Sequence, residues 1–140
     1  MRNVSRAVTA ARMTELGRKE SLALLASVPL GRVGFTQQAL PVIRPVNHVV
    51  DGDAVVIGTQ AGSVLLCHTS VAEVVVYEAD QIDPQTRTGW SVMVTGPATP
   101  VTAPLEVVRY QGLLTPWADM SMHHVVRIRA ELVTGYRLEH

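Results

Sequence analysis

The sequence predicts a mainly β protein, an antiparallel β-barrel with helical plugs. Three observations carry this reading. About six runs rich in Val and Ile follow the spacing of strands, most of them alternating with polar residues. Most links between these runs are short and hairpin-like. Only two stretches have a sustained helical spacing, with one shorter helical segment besides, which is too little for alternating βαβ units. At 140 residues the chain forms one domain, long enough to bury roughly two thirds of its unfolded surface.

Composition narrows the function. Hydrophobic residues make up 47% and charged residues 17%, which excludes a disordered chain. No apolar run approaches the roughly 20 residues needed to cross a bilayer, so no membrane partner is expected. The formal net charge is zero and no basic stripe is interleaved with aromatics, so nucleic acid is not an expected partner. The single cysteine, Cys67, cannot close an internal disulfide, and the reducing cytoplasm is the simplest location. Valine is abundant for a chain of this size, which favours a homodimer with apolar surface buried between subunits.

The elements follow in order. Residues 1–13 read as a flexible arm: Arg2, Arg6 and Arg12 occur without an acid, a pattern also compatible with an organelle transit peptide. A helix is expected over Thr14–Ser27, with Leu16, Leu22, Leu25 and Ala26 near one face. Gly17 moves its main start towards Arg18, and Val28-Pro29 ends it. Gly31–Gln37 reads as the first strand, with Val33 and Phe35 on one face, and Gln38-Ala39 turns the chain.

Leu40–Ser63 is the stretch around which the rest is arranged. Two Val- and Ile-rich runs flank Asp51-Gly52, a turn dipeptide, and so form a hairpin. Val42, Arg44, Val46 and His48 share one face of its first strand. An arginine among valines needs an anionic partner or must reach solvent. Pro41 and Pro45 remove two ladder donors from one side, as expected of an edge strand or of a break that leaves backbone groups to face a ligand. The exit Gly58-Thr59-Gln60-Ala61-Gly62-Ser63 is small and polar and leads into a short helix over Ser63–Ser70. Such a corner suits an anion.

Val71–Asp80 reads as a strand, and its Val74-Val75-Val76 run suggests burial on both faces. Gln81–Thr88 is expected as a polar loop with a turn at Asp83-Pro84. Gly89–Ala98 is a strand with Trp90, Val92 and Val94 on one face and Ser91, Met93 and Thr95 on the other. Gly96-Pro97 marks a bulge or corner. A second helix is expected over Thr102–Gly112, capped by Thr102, with Leu105, Val108 and Leu113 facing inward. Leu114–Met122, with Trp117, is an irregular connection. His123–Ala130 is the last long strand, which Val133–Leu138 extends or pairs with around Thr134-Gly135. Residues 139–140 resemble a purification-tag remnant, leaving a single domain over residues 14–138.

Three stretches then coincide in order and spacing. They are Gly31-Arg32-Val33-Gly34-Phe35 followed by Pro41-Val42-Ile43-Arg44-Pro45-Val46-Asn47; Ile57-Gly58-Thr59-Gln60-Ala61-Gly62-Ser63; and Gly89-Trp90-Ser91-Val92-Met93-Val94-Thr95-Gly96-Pro97-Ala98, preceded by Glu78-Ala79-Asp80. Together they resemble the pyridoxamine 5'-phosphate oxidase-like family of FMN-binding split-barrel proteins. The resemblance implies a six-stranded antiparallel split barrel, dimeric, with two flavin sites at the subunit interface. FMN is the usual cofactor; some branches use a deazaflavin and others bind haem-related ligands. Arg44, Pro45 and Val46 match the strand beneath the flavin ring. Thr59, Gly62 and Ser63 match the phosphate corner. Trp90 and Ser91 match residues supplied near the flavin, often by the other subunit. Where the family usually has Lys or Arg after the Ser63 position, this chain has Val64 and Leu65. Charge on a phosphate then falls to Arg44, Arg87 or Arg127.

The expected function is therefore a flavin-binding oxidoreductase whose cofactor carries the chemistry, with no catalytic side chain assigned. A deazaflavin-dependent reductase and a non-catalytic binder of haem or another flat ligand are the alternatives. More local roles stand beside these: Arg44 as the partner of Glu78 or Asp80, Thr59 and Ser63 as a helix cap, and Trp90 as a core or interface aromatic. His48, His68, His123 and His124 lack metal-ligand spacing, so no metal site is expected.

Overall fold

The structure, a computed structural model, describes residues 11–60, 72–114 and 123–140. The short helix expected over Ser63–Ser70, Cys67 and His68, and the connection carrying Trp117, lie outside the described residues. The elements run β1 (Arg12–Leu16), α1 (Arg18–Ala26), β2 (Leu30–Gln37), β3 (Leu40–Asp51), β4 (Ala54–Gln60), β5 (Val74–Asp83), β6 (Thr88–Pro100), α2 (Pro104–Leu113), β7 (His123–Arg129) and β8 (Leu132–Glu139).

All the strand pairs are antiparallel, in the order β1-β8-β6-β5-β2-β3-β4-β7, and a β6–β7 pairing closes the ring. The closed circuit comprises β2 to β7, which is the six-stranded barrel the sequence predicts. β8 and β1 extend outward from β6. β6 serves three neighbours: β5 up to Pro97, β8 up to Thr95, and β7 from Ala98 to Pro100. The expected corner at Gly96-Pro97 is where it leaves one sheet for the other. A Cβ on Gly96 would lie 1.7 Å from the Arg129 carbonyl oxygen, so only glycine admits that close crossing. Burial keeps its alternation through Trp90, Val92, Val94, Gly96 and Ala98, so no bulge interrupts the strand.

The core fills the barrel with Val33, Phe35, Val55, Ile57, Val75, Tyr77, Trp90, Val92, Val94, Val126 and Ile128, and Leu25 of α1 plugs it. A second cluster outside the barrel packs α2 against β4 and β7 through Val56, Val101, Tyr110, Leu114 and Val125. The β2–β3 turn is made at Gln38 and Ala39, as expected, with both residues at positive φ (50° and 66°). That geometry suits the right-handed twist of a hairpin.

Several expectations are corrected. Arg12 and Met13 belong not to an arm but to β1, in register with Glu139 and Leu138 of β8; Glu139 is thus part of a strand and its carboxylate accepts a hydrogen bond from Thr14 Oγ1 at 3.2 Å. The helix starts at Arg18, because Thr14–Leu16 is drawn into that pairing. Val74, Val75 and Val76 are not buried on both faces: Val74 is 64% exposed, Val75 buried and Val76 between, because no described element covers the outer face of β5. The expected polar loop at Gln81–Thr88 shrinks to Pro84–Arg87, with strand structure continuing to Asp83 and resuming at Thr88. Asp83 Oδ1 accepts the Gln85 amide at 2.8 Å, and the Arg87 amide reaches the Asp83 carbonyl at 2.7 Å, which closes that turn.

In α2, Ala103 and not Thr102 is the N-cap residue, with Pro104 opening the helix. Leu105, Val108 and Leu113 face outward, at 87%, 67% and 52% exposure, and Tyr110 and Leu114 are buried instead. β8 pairs with β6 and β1, not with β7; the chain reverses at Ala130-Glu131.

Candidate functional site

The sheet opens at β3. Its last residues, His48–Asp51, pair with β4, whereas Leu40–Val46 pair with β2 on one side and with no described residue on the other. The His48 amide donates to the Pro29 carbonyl at 2.9 Å, which sets the phase of the strand: even-numbered residues direct backbone groups towards β2, odd-numbered ones away from it. Pro41 and Pro45 therefore stand with the open edge and remove two of its N–H donors, as suits such an edge. The carbonyls of Pro41, Ile43 and Pro45 and the Ile43 N–H line this split.

Arg44 lies on the barrel side of β3, opposite Val33, but is exposed because the ring is open there. Its Nη1 donates to the Ile43 carbonyl at 3.0 Å. It pairs with no carboxylate among the described residues. Glu78, proposed as its partner, lies on the other face and is 3.8 Å from Arg32. Val46 is half-buried on the same side as Arg44. Thr59, buried and in register with His124, lies two residues beyond the His48–Ile57 pair on the diverging β4. Arg44, Val46 and Thr59 thus share the mouth where β3 and β4 part. Gly62 and Ser63 lie outside the described residues.

Pro45 and Ser91 face the other way, onto the outer surface of the sheet, with Ser91 opposite Asp80 and Tyr136. The Trp90 side chain packs in the core at 5% exposure. Of the other candidate cations, Arg127 is engaged by Glu106 at 3.0 Å and by the Tyr110 hydroxyl at 3.3 Å, whereas Arg87 stands exposed at the β5–β6 turn.

Beneath the mouth lies a buried polar chain. Tyr77 OH donates to the Val46 carbonyl at 3.0 Å and lies 2.5 Å from His48 Nδ1; His48 Nε2 donates to the Leu25 carbonyl at 2.8 Å. Burial lowers the His48 pKa and pushes the Tyr77 phenol well above its ordinary value. On its other side His48 borders a cavity of about 370 Å³ lined also by Val28, Pro29, Val50 and Leu113. On the sequence His48 is one more histidine on an apolar strand face; its partner is 29 residues away, and no local spacing signals it.

The outer surface carries two rows across five strands: Ile43, Gly34, Val76, Thr95 and Leu132, then Pro45, Arg32, Glu78, Met93 and Thr134. Ile43, Leu132 and Met93 are exposed there, and Val74 lies beside them. Partial burial, the hydrogen bond to Asp80 and its negative charge push the Glu78 carboxyl up to about 7, against the lowering effect of Arg32. Elsewhere, Asp51 Oδ2 accepts from Tyr110 OH at 2.5 Å and Arg109 Nη1 at 3.0 Å, and these bonds lower its pKa while they dock α2 on the hairpin. Among the described residues no group of three or more His, Cys, Asp or Glu is placed to hold a metal ion, and no helix is long and apolar enough to cross a membrane.

Known proteins resemble this chain in sequence or in fold. A Mycobacterium tuberculosis protein, Rv0080, itself uncharacterized, is 52% identical over 134 residues, covering 93% of this chain and 88% of that one. The FAD-binding protein from Mycobacterium smegmatis is 32% identical, with 91% of this chain and 98% of that chain covered and a TM-score of 0.71. An FAD-binding protein from Mesorhizobium loti, 18% identical over 93% of this chain and 99% of its own, shares the fold at a TM-score of 0.80. Residues 17–137 match the pyridoxamine 5'-phosphate oxidase family, to which this split-barrel chain therefore belongs.

Proposed function

We propose that this protein binds a flavin, FMN foremost, at the mouth between β3 and β4 and works as an oxidoreductase. The observation that carries the reading is Arg44: a guanidinium without a carboxylate partner among the described residues, beside a strand edge that no described strand pairs with. The relative from M. smegmatis, named as an FAD-binding protein, supports a flavin in general. These residues fit one: the Arg44–Val46 edge offers carbonyls and a cation to a flat polar ring, and Thr59 begins the polar corner suited to its phosphate. A bound flavin supplies hydride or electron transfer. The chain's own residues bind and orient it, and none is assigned as an acid or base.

The site takes its remaining wall from a second copy. The outer rows around Ile43, Met93 and Leu132 are the kind of exposed apolar face that a homodimer covers, and Pro45 and Ser91 lie on it. The lone cysteine and the absence of an apolar spanning helix among the described residues accord with a cytoplasmic protein. Val64 and Leu65, in place of the usual basic residues, favour a second reading in which the ligand is a deazaflavin, or haem or another flat molecule without redox turnover.

Titration of purified protein with FMN and FAD, followed by flavin fluorescence, tests this. Micromolar binding is expected. Arg44→Ala should weaken it roughly tenfold or more, the loss of one charge-assisted hydrogen bond of about 1.5–3 kcal/mol. No binding of either flavin at micromolar concentration overturns the proposal, and haem uptake without turnover would favour the second reading.

A further inference from the structure

Two side chains that no expected role accounts for sit directly beneath the open edge. Tyr77 starts on β5, in register with Val33 of β2, and its ring passes under β2 to reach β3. The passage exists because residue 31 is glycine: a Cβ there would lie 2.6 Å from the Tyr77 hydroxyl oxygen and 2.7 Å from its ring. The hydroxyl meets both the Val46 carbonyl and His48 Nδ1. His48 in turn holds the Leu25 carbonyl near the end of α1. Tyr77 of β5 thus holds one peptide of the open strand, and His48 ties its hydroxyl to α1.

We propose that Tyr77 and His48 are a positioning pair that fixes the Arg44–Val46 edge in the shape its ligand needs. This deepens the flavin reading of that edge and rests on it for the identity of the ligand. The need is physical. From Leu40 to Val46 the strand is held by β2 alone among the described residues, and two prolines remove N–H donors from its other side. A strand tethered on one side twists and frays unless something else holds it. The hydroxyl of Tyr77 supplies that second hold at Val46, next to the Arg44-Pro45 step.

Proton accounting shows why the pair acts as a unit. A carbonyl only accepts, so Nε2 of His48 carries the proton that Leu25 receives. With the ring neutral, Nδ1 accepts, and the single Tyr77 proton is shared between Nδ1 at 2.5 Å and Val46 at 3.0 Å. His48 therefore sets where the hydroxyl sits, and α1 sets where His48 sits. Loss of either partner leaves the other buried and under-satisfied.

The test compares Tyr77→Phe and His48→Asn with the wild type, all without ligand, by residue-resolved amide hydrogen exchange. The proposal expects exchange at least fivefold faster at the amides of Val42, Arg44 and Val46, which face β2, with β4 and β7 unchanged. Should one variant fail to fold, the other decides. With FMN added, Tyr77→Phe should bind about tenfold more weakly and alter the visible circular dichroism of the bound flavin at saturation, a signature that a merely structural role would leave in place. Exchange at the β3 edge equal to wild type, or faster evenly over the whole barrel, overturns the proposal. Wild-type protein that binds neither FMN nor FAD overturns the flavin reading alone, and the exchange pattern still decides for or against the positioning pair.

Discussion

Replacing Gly31 with alanine should destabilise the protein by far more than one methyl group would suggest. The added Cβ would stand 2.5 Å from the Glu78 carbonyl oxygen and 2.6 Å from the Tyr77 hydroxyl, both inside contact distance. The first is backbone and cannot swing aside. Tyr77 must therefore move, at the expense of its bonds to Val46 and His48. Overpacking of this kind costs about 1–3 kcal/mol. Two buried hydrogen bonds add roughly 0.5–1.5 kcal/mol each. The sum, about 2–6 kcal/mol, is a large part of the 5–15 kcal/mol typical of a domain. At about 3 °C per kcal/mol, thermal unfolding followed by circular dichroism should show a loss of roughly 6–18 °C. Gly112→Ala is the control. Nothing lies within 4 Å of a Cβ in that position of α2, and alanine should stabilise the helix by roughly 0.5–1 kcal/mol. A Gly31→Ala protein melting within a degree of the wild type would refute the reasoning, since Tyr77 would then not fill the space that glycine leaves.

Three further outcomes are expected. Ala39→Gly should raise stability by about 1 kcal/mol in a denaturant titration, because Ala39 pays the left-handed penalty at φ 66°. Glu78→Gln should change the pH dependence of Tm: a carboxyl raised from 4.5 to about 7 contributes stability that is complete below about 4.5 and is lost as pH rises through 7. The wild type should therefore lose ground to the variant between pH 5 and pH 8, and a constant difference across that range would exclude the titration. Leu132→Arg, on the exposed outer row, should turn the proposed homodimer into a monomer in sedimentation while leaving the far-ultraviolet spectrum intact.

Local chemistry made much of the fold legible. The Gly52 turn, the alternation of β6 and the proline-marked edge of β3 each depend on neighbours in the chain, and each stands where the sequence places it. What escaped was set by distant contacts. Arg12–Leu16 has no strong strand pattern and becomes a strand because β8 offers it an edge. Hydrophobic spacing on α2 favoured Leu105 and Val108, but the helix is oriented by Tyr110, whose hydroxyl bonds Asp51 and whose ring lies beneath Arg109 and Arg127. The Val74–Val76 run reads as buried on both faces because composition does not distinguish a core from an exposed apolar surface. At the site, Arg44 was legible as a charge among valines; His48 and Tyr77 were not, since only the folded barrel brings them together.

The pairing of β1 with β8 has a consequence for how the chain is assembled. Arg12 stands opposite Glu139, so the first and last described strands are neighbours at the spacing of roughly 5 Å usual in a sheet. During synthesis β1 must wait for β8 before their hydrogen bonds can form, an arrangement of long sequence separation that slows folding. It also suits a rearranged chain in which a short linker joins residue 139 directly to residue 11 and new termini open at the exposed β5–β6 turn, which would leave β8 and β1 as one continuous hairpin.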